Sequence, residues 1–142
     1  MYIFDGAMGT MLQAAGLEEG YCPELFNIER PEVVKDIHAQ YLQHGSDVIT
    51  TNTFGACGLK LEDYDLQDRV REINIAAVKV AKEAIAENKP TARVAGSMGP
   101  TGRFLQPLGN MSFDSIYDTY REQAEALIEG GVDFIIIETI ID

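Results

Sequence analysis

Basic residues are scarce in this 142-residue sequence: 11 Lys and Arg stand against 23 Asp and Glu, a net charge of −12. Such a surface repels phosphate backbones and anionic lipid headgroups, which argues against nucleic acid and membrane as partners. Long apolar runs are missing as well, none approaching the roughly 18 residues of a membrane-spanning helix. The N-terminus has neither a basic stretch nor a long apolar core, so it does not read as a secretory leader. Cysteine is limited to Cys22 and Cys57, in no CxxC arrangement, and that usage fits a cytoplasmic setting with both thiols reduced. The acids are scattered through helix-like stretches instead of forming a tail, as on a solvated helical surface. What is present, 46% hydrophobic residues, is material for one domain of ordinary size.

Four short apolar runs stand out: "YIF" before Asp5, "SDVITT" at 46–51, "ARVAGS" at 92–97 and "VDFIIIET" at 132–139. They read as strands buried on both faces. Between them the apolar period changes to that of helices. Residues 32–43 place Val33, Val34, Ile37, Tyr41 and Leu42 on one stripe after Pro31, and Gly45 closes the segment. Residues 66–87 repeat the pattern with Val70, Ile73, Ala77, Val80, Ala81 and Ile85. A third helix over 112–129 starts at Ser112, a capping residue, and stops at Gly130 and Gly131, with Ile116, Tyr120, Ala124, Leu127 and Ile128 as its stripe. Strand alternating with helix predicts a parallel sheet with right-handed crossovers.

The strand ends fall at Asp5, Thr51, Ser97 and Glu138, and a long loop follows each of the first three. In open α/β sheets and α/β barrels alike, sites form at that edge. Asp5 and Glu138 therefore emerge together, suited to one cation such as an amino-acid ammonium, to acid and base roles, or to capping their own loops. The glycines of "DGAMG" leave backbone N–H groups open to a carboxylate. At the second strand end, "TTNTFGA" offers the neutral groups of Thr51, Asn52 and Thr53, suited to orienting a ligand or to capping a turn. The loop "GSMGPTGRFLQPLG" matches neither phosphate-binding glycine pattern. His38 and His44, six residues apart, point to different helix faces and read as solvated or helix-terminal. Cys22 and Cys57 read as buried or tolerated thiols rather than metal ligands, so neither a catalytic nor a metal-ligating residue is assigned.

The stretches "FDGAMGTMLQ", "NIERPEVVKDIHAQYLQHGSD", "DVITTNTFGA", "VAGSMGPTGRFLQPLG" and "DFIIIETIID", in that order, closely resemble the homocysteine-binding domain of cobalamin-dependent methionine synthases, within the homocysteine S-methyltransferase family. The resemblance implies a (β/α)8 TIM barrel of the α/β class. This chain would be its N-terminal half, residues 1–142, with about four strands and three helices. It implies a methyltransferase of methionine biosynthesis in which homocysteine, its thiolate on zinc, takes a methyl group from methylcobalamin, itself supplied by methyltetrahydrofolate. Asp5 and Glu138 would hold the substrate ammonium, the backbone of Gly6, Ala7 and Met8 would neighbour its carboxylate, and Asn52 would complete the substrate-binding set. The family's zinc-binding "NC" and "GGCCG" motifs do not occur here. Zinc ligands are accordingly expected beyond Asp142, and cobalamin and folate on other domains. Expected partners are homocysteine, the remaining barrel half and those folate and cobalamin domains. Alternatively the 142 residues form a catalytically silent amino-acid-binding module, or two copies pair strand four with strand one as a homodimer of half barrels.

Overall fold

The structure, a computed structural model, describes residues 1–140; Ile141 and Asp142, the end of the fourth motif, lie outside the described residues. Three strands, β1 (Val48–Thr50), β2 (Arg93–Met98) and β3 (Phe134–Ile137), form one sheet in the order β1-β2-β3, every pairing parallel. The expected first strand, "YIF", is reduced to a single parallel bridge between Phe4 and Val48. It is still tied to β1, since the Val48 N–H donates to the Ile3 carbonyl (3.1 Å) and the Asp5 N–H to the Val48 carbonyl (3.0 Å).

The helices are α1 (Met8–Ala14), α2 (Phe26–Glu29), α3 (Pro31–Gln43), α4 (Gly58–Leu61), α5 (Val70–Asn88) and α6 (Phe113–Gly130). Helices α3, α5 and α6 are those read from the apolar period. Helix α3 opens on Pro31 at its first turn, where the missing N–H costs no intrahelical bond. In α6 the Ser112 hydroxyl accepts the Ser115 N–H (3.1 Å) as N-cap, and Gly131 closes the helix with φ 86°, a left-handed conformation that glycine adopts without strain. The first two long loops hold further short elements that were not expected: α1, a 3-10 turn over Pro23–Leu25 and α2 in the first, and α4 in the second.

Helix α5 lies at the centre of the helical layer, between α3 and α6. Ile49 and Val94 of the sheet join Leu42, Ala81, Ala84 and Ile85 in one buried cluster, and Met98 joins Val78 and Leu127 in another. Burial on both faces holds for β1 and for β2 beyond Arg93, but not for "YIF" or β3: Ile3 is 53% and Ile137 71% exposed. These outer runs have a strand neighbour on one side only among the described residues. Two helix expectations also change. Ile128, placed on the α6 stripe, is exposed because no described element packs over it. His38, read as solvated, is fully buried, since its spacing of four from both Val34 and Leu42 sets it on the same inward stripe.

Candidate functional site

A cleft of about 250 Å³ opens at the carboxyl ends of the strands. Gly6, Ala7, Met8, Asn52 and Glu138 line it, with Glu24, Thr50, Ser97 and Phe54 among the other walls. Five of the six residues singled out for a substrate thus meet in one cleft. Asp5 stands behind it: its carboxyl accepts the Thr50 N–H (2.8 Å) and the Thr50 hydroxyl (3.1 Å), and Thr50 is the residue at the wall. Burial is the main force on Asp5, pushing its pKa up to about 6 against the two Thr50 bonds, with a smaller upward push from the nearby charge of Glu138.

Glu138 follows β3 directly, its N–H donating to the Met98 carbonyl (3.0 Å), and its carboxylate accepts the Ser97 hydroxyl at the end of β2. Hydroxyls carry the order onward between strand ends. The Ser97 N–H donates to Thr51 Oγ1 (3.1 Å), the Thr51 and Thr53 hydroxyls share a bond of 2.6 Å, and Thr53 Oγ1 donates to the Ser97 carbonyl (2.7 Å). Buried Gln123 of α6 braces the set by donating to the Thr53 carbonyl (2.8 Å). On the opposite wall, Tyr41 of α3 donates its hydroxyl to the Ala7 carbonyl (2.9 Å), fixing the backbone just after Asp5. The α1 N-cap, Ala7, supplies no side-chain acceptor to the first turn, so the N–H groups at that turn keep their capacity for an acceptor.

At Gly99 the second and third strand-end loops touch: an added Cβ would sit 2.6 Å from the Phe54 carbonyl oxygen and 2.7 Å from its ring. Only a residue without a side chain permits that approach. Asn52, read as a substrate contact, lines the cleft but already donates Nδ2 to the Pro23 carbonyl (2.8 Å), so its amide is directed partly into the protein. Glu24 escaped the sequence reading. As an acid in the first turn after Pro23 it looked like any helix-start carboxylate, and its 5% exposure depends on long-range packing.

Both thiols are buried, as expected. Burial raises the pKa of each, Cys22 to about 12, and the nearby charge of Glu24 adds to the rise in both. A thiol held protonated is a poor zinc ligand. No three His, Cys, Asp or Glu side chains gather into a metal site among the described residues. The residues present therefore do not fit a thiolate-held zinc ion. Nor is any described helix long and apolar enough to cross a membrane.

A parallel sheet covered by helices, with a cleft at its strand ends walled by Glu138, Glu24 and the backbone of Gly6 and Ala7, defines an α/β protein, a class in which sites form at that edge. The chain belongs to the homocysteine S-methyltransferase family, whose sequence model matches residues 2–142. It is 41% identical over 145 residues to a methionine synthase of Mycobacterium tuberculosis and 39% identical to that of Mycobacterium leprae, covering 95% of this chain and 12% of each relative. The chain thus spans about an eighth of the length of these relatives. Among solved structures it resembles the homocysteine methyltransferase MmuM from Escherichia coli. The metallated form matches with TM-score 0.81, 26% identity, 98% of this chain and 54% of that one, and the oxidized form with TM-score 0.77, 25% identity, 95% and 51%.

Proposed function

We propose that this chain supplies the homocysteine-anchoring part of a methionine-forming methyltransferase. The observation that carries the reading is the meeting of Glu138, held by Ser97, with the bare backbone of Gly6, Ala7 and Met8 in one cleft, with Asp5 behind it. An α-amino acid has an ammonium for the acidic wall and a carboxylate for the N–H wall. Met8 and Phe54 are the apolar walls left for its side chain, which suits a short thiol-bearing chain. Asp5 contributes through Thr50 and through its charge rather than as a lining group.

In this reading the residues here bind and orient the amino acid. Activation of its thiol by zinc, and delivery of the methyl group from methylcobalamin or methyltetrahydrofolate, are assigned to parts beyond Asp142, as the methionine synthase relatives favour. The whole barrel, of which 1–142 form the N-terminal half, and the folate and cobalamin domains are the partners this assigns. A second reading rests on the misfit to zinc: taken alone, the 142 residues are a silent amino-acid-binding module. A pair of half barrels is the alternative cover for the exposed outer strands.

Titration of the chain with homocysteine by calorimetry tests the anchor. Replacing Glu138→Gln removes a hydrogen bond to a charged group, and binding should weaken by about 1.5 to 3 kcal/mol. Wild-type affinity in that variant would refute the assignment. Transfer of a methyl group by the 142-residue chain itself would remove the silent-module reading.

A further inference from the structure

Residues 22–27 are laced to residues 52–55 by three hydrogen bonds, each joining the first strand-end loop to the second. Glu24 Oε1 accepts the Gly55 N–H at 2.6 Å, Asn27 Nδ2 donates to the Asn52 carbonyl at 2.7 Å, and Asn52 Nδ2 donates back to the Pro23 carbonyl at 2.8 Å. Glu24 and Asn27 are both buried, and the second Glu24 oxygen accepts the Cys22 S–H (3.4 Å). No Lys or Arg forms an ion pair with Glu24 among the described residues. A buried carboxyl is costly unless its oxygens are occupied, and here they are occupied by the loop and by a thiol.

That expense is spent at the cleft. Glu24 is itself a wall of it, and the loop it grips carries two more walls, Asn52 and Phe54. Loops at strand ends are otherwise the mobile part of such folds. A carboxyl bonding a backbone N–H in a water-poor setting is among the stronger restraints available.

We propose that Glu24 is a positioning residue for the amino-acid substrate: by gripping the Gly55 N–H it sets Asn52 and Phe54 at the distance the substrate requires. This rests on the homocysteine reading of the cleft and extends it to a residue that does not itself have to touch the ligand. Gln at position 24 keeps an oxygen acceptor for Gly55, whereas Ala removes it. Gly55→Ala attacks the same contact from the other side, since its Cβ would lie 2.8 Å from Glu24 Oε1 and 3.2 Å from Lys60 Cγ.

The test uses the 142-residue chain, with amide exchange at Gly55 followed by NMR and homocysteine binding by calorimetry. Glu24→Ala should speed Gly55 exchange and weaken homocysteine binding, each by about tenfold, while Glu24→Gln stays within about threefold of wild type. Gly55→Ala should reproduce the weaker binding with helical circular dichroism unchanged, which covers the case that Glu24→Ala does not fold. Unchanged Gly55 exchange in Glu24→Ala, or a Gln variant as impaired as the Ala variant, would overturn the proposal. A wild-type chain with a protected Gly55 N–H and no affinity for homocysteine would overturn the functional reading and the substrate role of Glu24, leaving only a loop restraint.

Discussion

The rings of Phe4 and Phe134 meet edge to face, 6.1 Å between centroids and 71° between planes, although two strands separate their backbones. Three strand spacings in a flat sheet amount to about 14 Å, so the contact requires the sheet to curl. The pairings Phe4 with Val48 and Ala95 with Phe134 put all four residues on the face turned away from α3, α5 and α6. Val48 and Ala95 are fully buried on that face, the one from which the two rings project.

Replacing either ring should therefore cost stability, though less than a fully buried Phe would, because Phe4 is 45% and Phe134 36% exposed. Phe4→Ala and Phe134→Ala are each expected to destabilise by about 1 to 2 kcal/mol, with a coupling of about 0.5 to 1.5 kcal/mol in the double variant. Urea unfolding of the four proteins measures it. Strict additivity would mean that the rings do not act as a pair.

Asp5 gives a pH signature. Its carboxyl titrates near 6 in the fold, above the ordinary 3.8, chiefly because burial disfavours the charge. A raised acid contributes stability that is complete below the unfolded value and lost as pH rises through the folded one. Wild type should therefore lose stability relative to Asp5→Asn between about pH 4 and pH 6, with a constant difference above that window. Unfolding midpoints of both proteins across that range check it, and parallel curves would show that Asp5 titrates normally.

Much of this was legible in the sequence, for reasons that differ by element. Helices α3, α5 and α6 announce themselves because each buries a stripe of period 3.6, and α6 carries its cap and its stop in Ser112 and Gly131. Asp5 and Glu138 were placed correctly at one edge by topology alone. The contact of Phe4 with Phe134 was not legible, since it depends on sheet curvature that no local pattern encodes. Glu24 and His38 were missed for a related reason: each is polar by type and buried by its neighbours. The short helices α1, α2 and α4 fill loops whose glycines and prolines mark turns without saying what lies between them.

The metal content follows from the thiols. Zinc needs deprotonated sulfur, and burial holds Cys22 and Cys57 in the thiol form, Cys22 up to about 12. The purified 142-residue chain should hold no stoichiometric zinc after dialysis, as read by elemental analysis. One tightly bound ion per chain, lost on Cys22→Ser or Cys57→Ser, would contradict this and reopen both cysteines as ligands.

His38 sets the behaviour in acid. It is fully buried on α3, neither ring nitrogen has a hydrogen-bond partner among the described residues, and burial lowers its pKa from 6.5 to about 4. The unfolded chain thus takes up a proton that the fold refuses. For a base with a depressed value the stability is complete above the unfolded pKa and is lost as pH falls through the folded one, a window from 6.5 down to about 4. Asp5 acts in the opposite sense over nearly the same range, so the two must be separated by substitution. His38→Leu removes two unpartnered polar atoms and the titration together, at the cost of a small change in packing. At pH 7 it is expected to gain about 1 kcal/mol, the lower end of the penalty for an unsatisfied buried group. Below pH 6 its advantage over wild type should widen, and this is the part that only a buried, neutral imidazole explains. Denaturant midpoints at pH 7, 6, 5 and 4 decide it: an advantage independent of pH would mean that His38 reaches water or a partner when protonated.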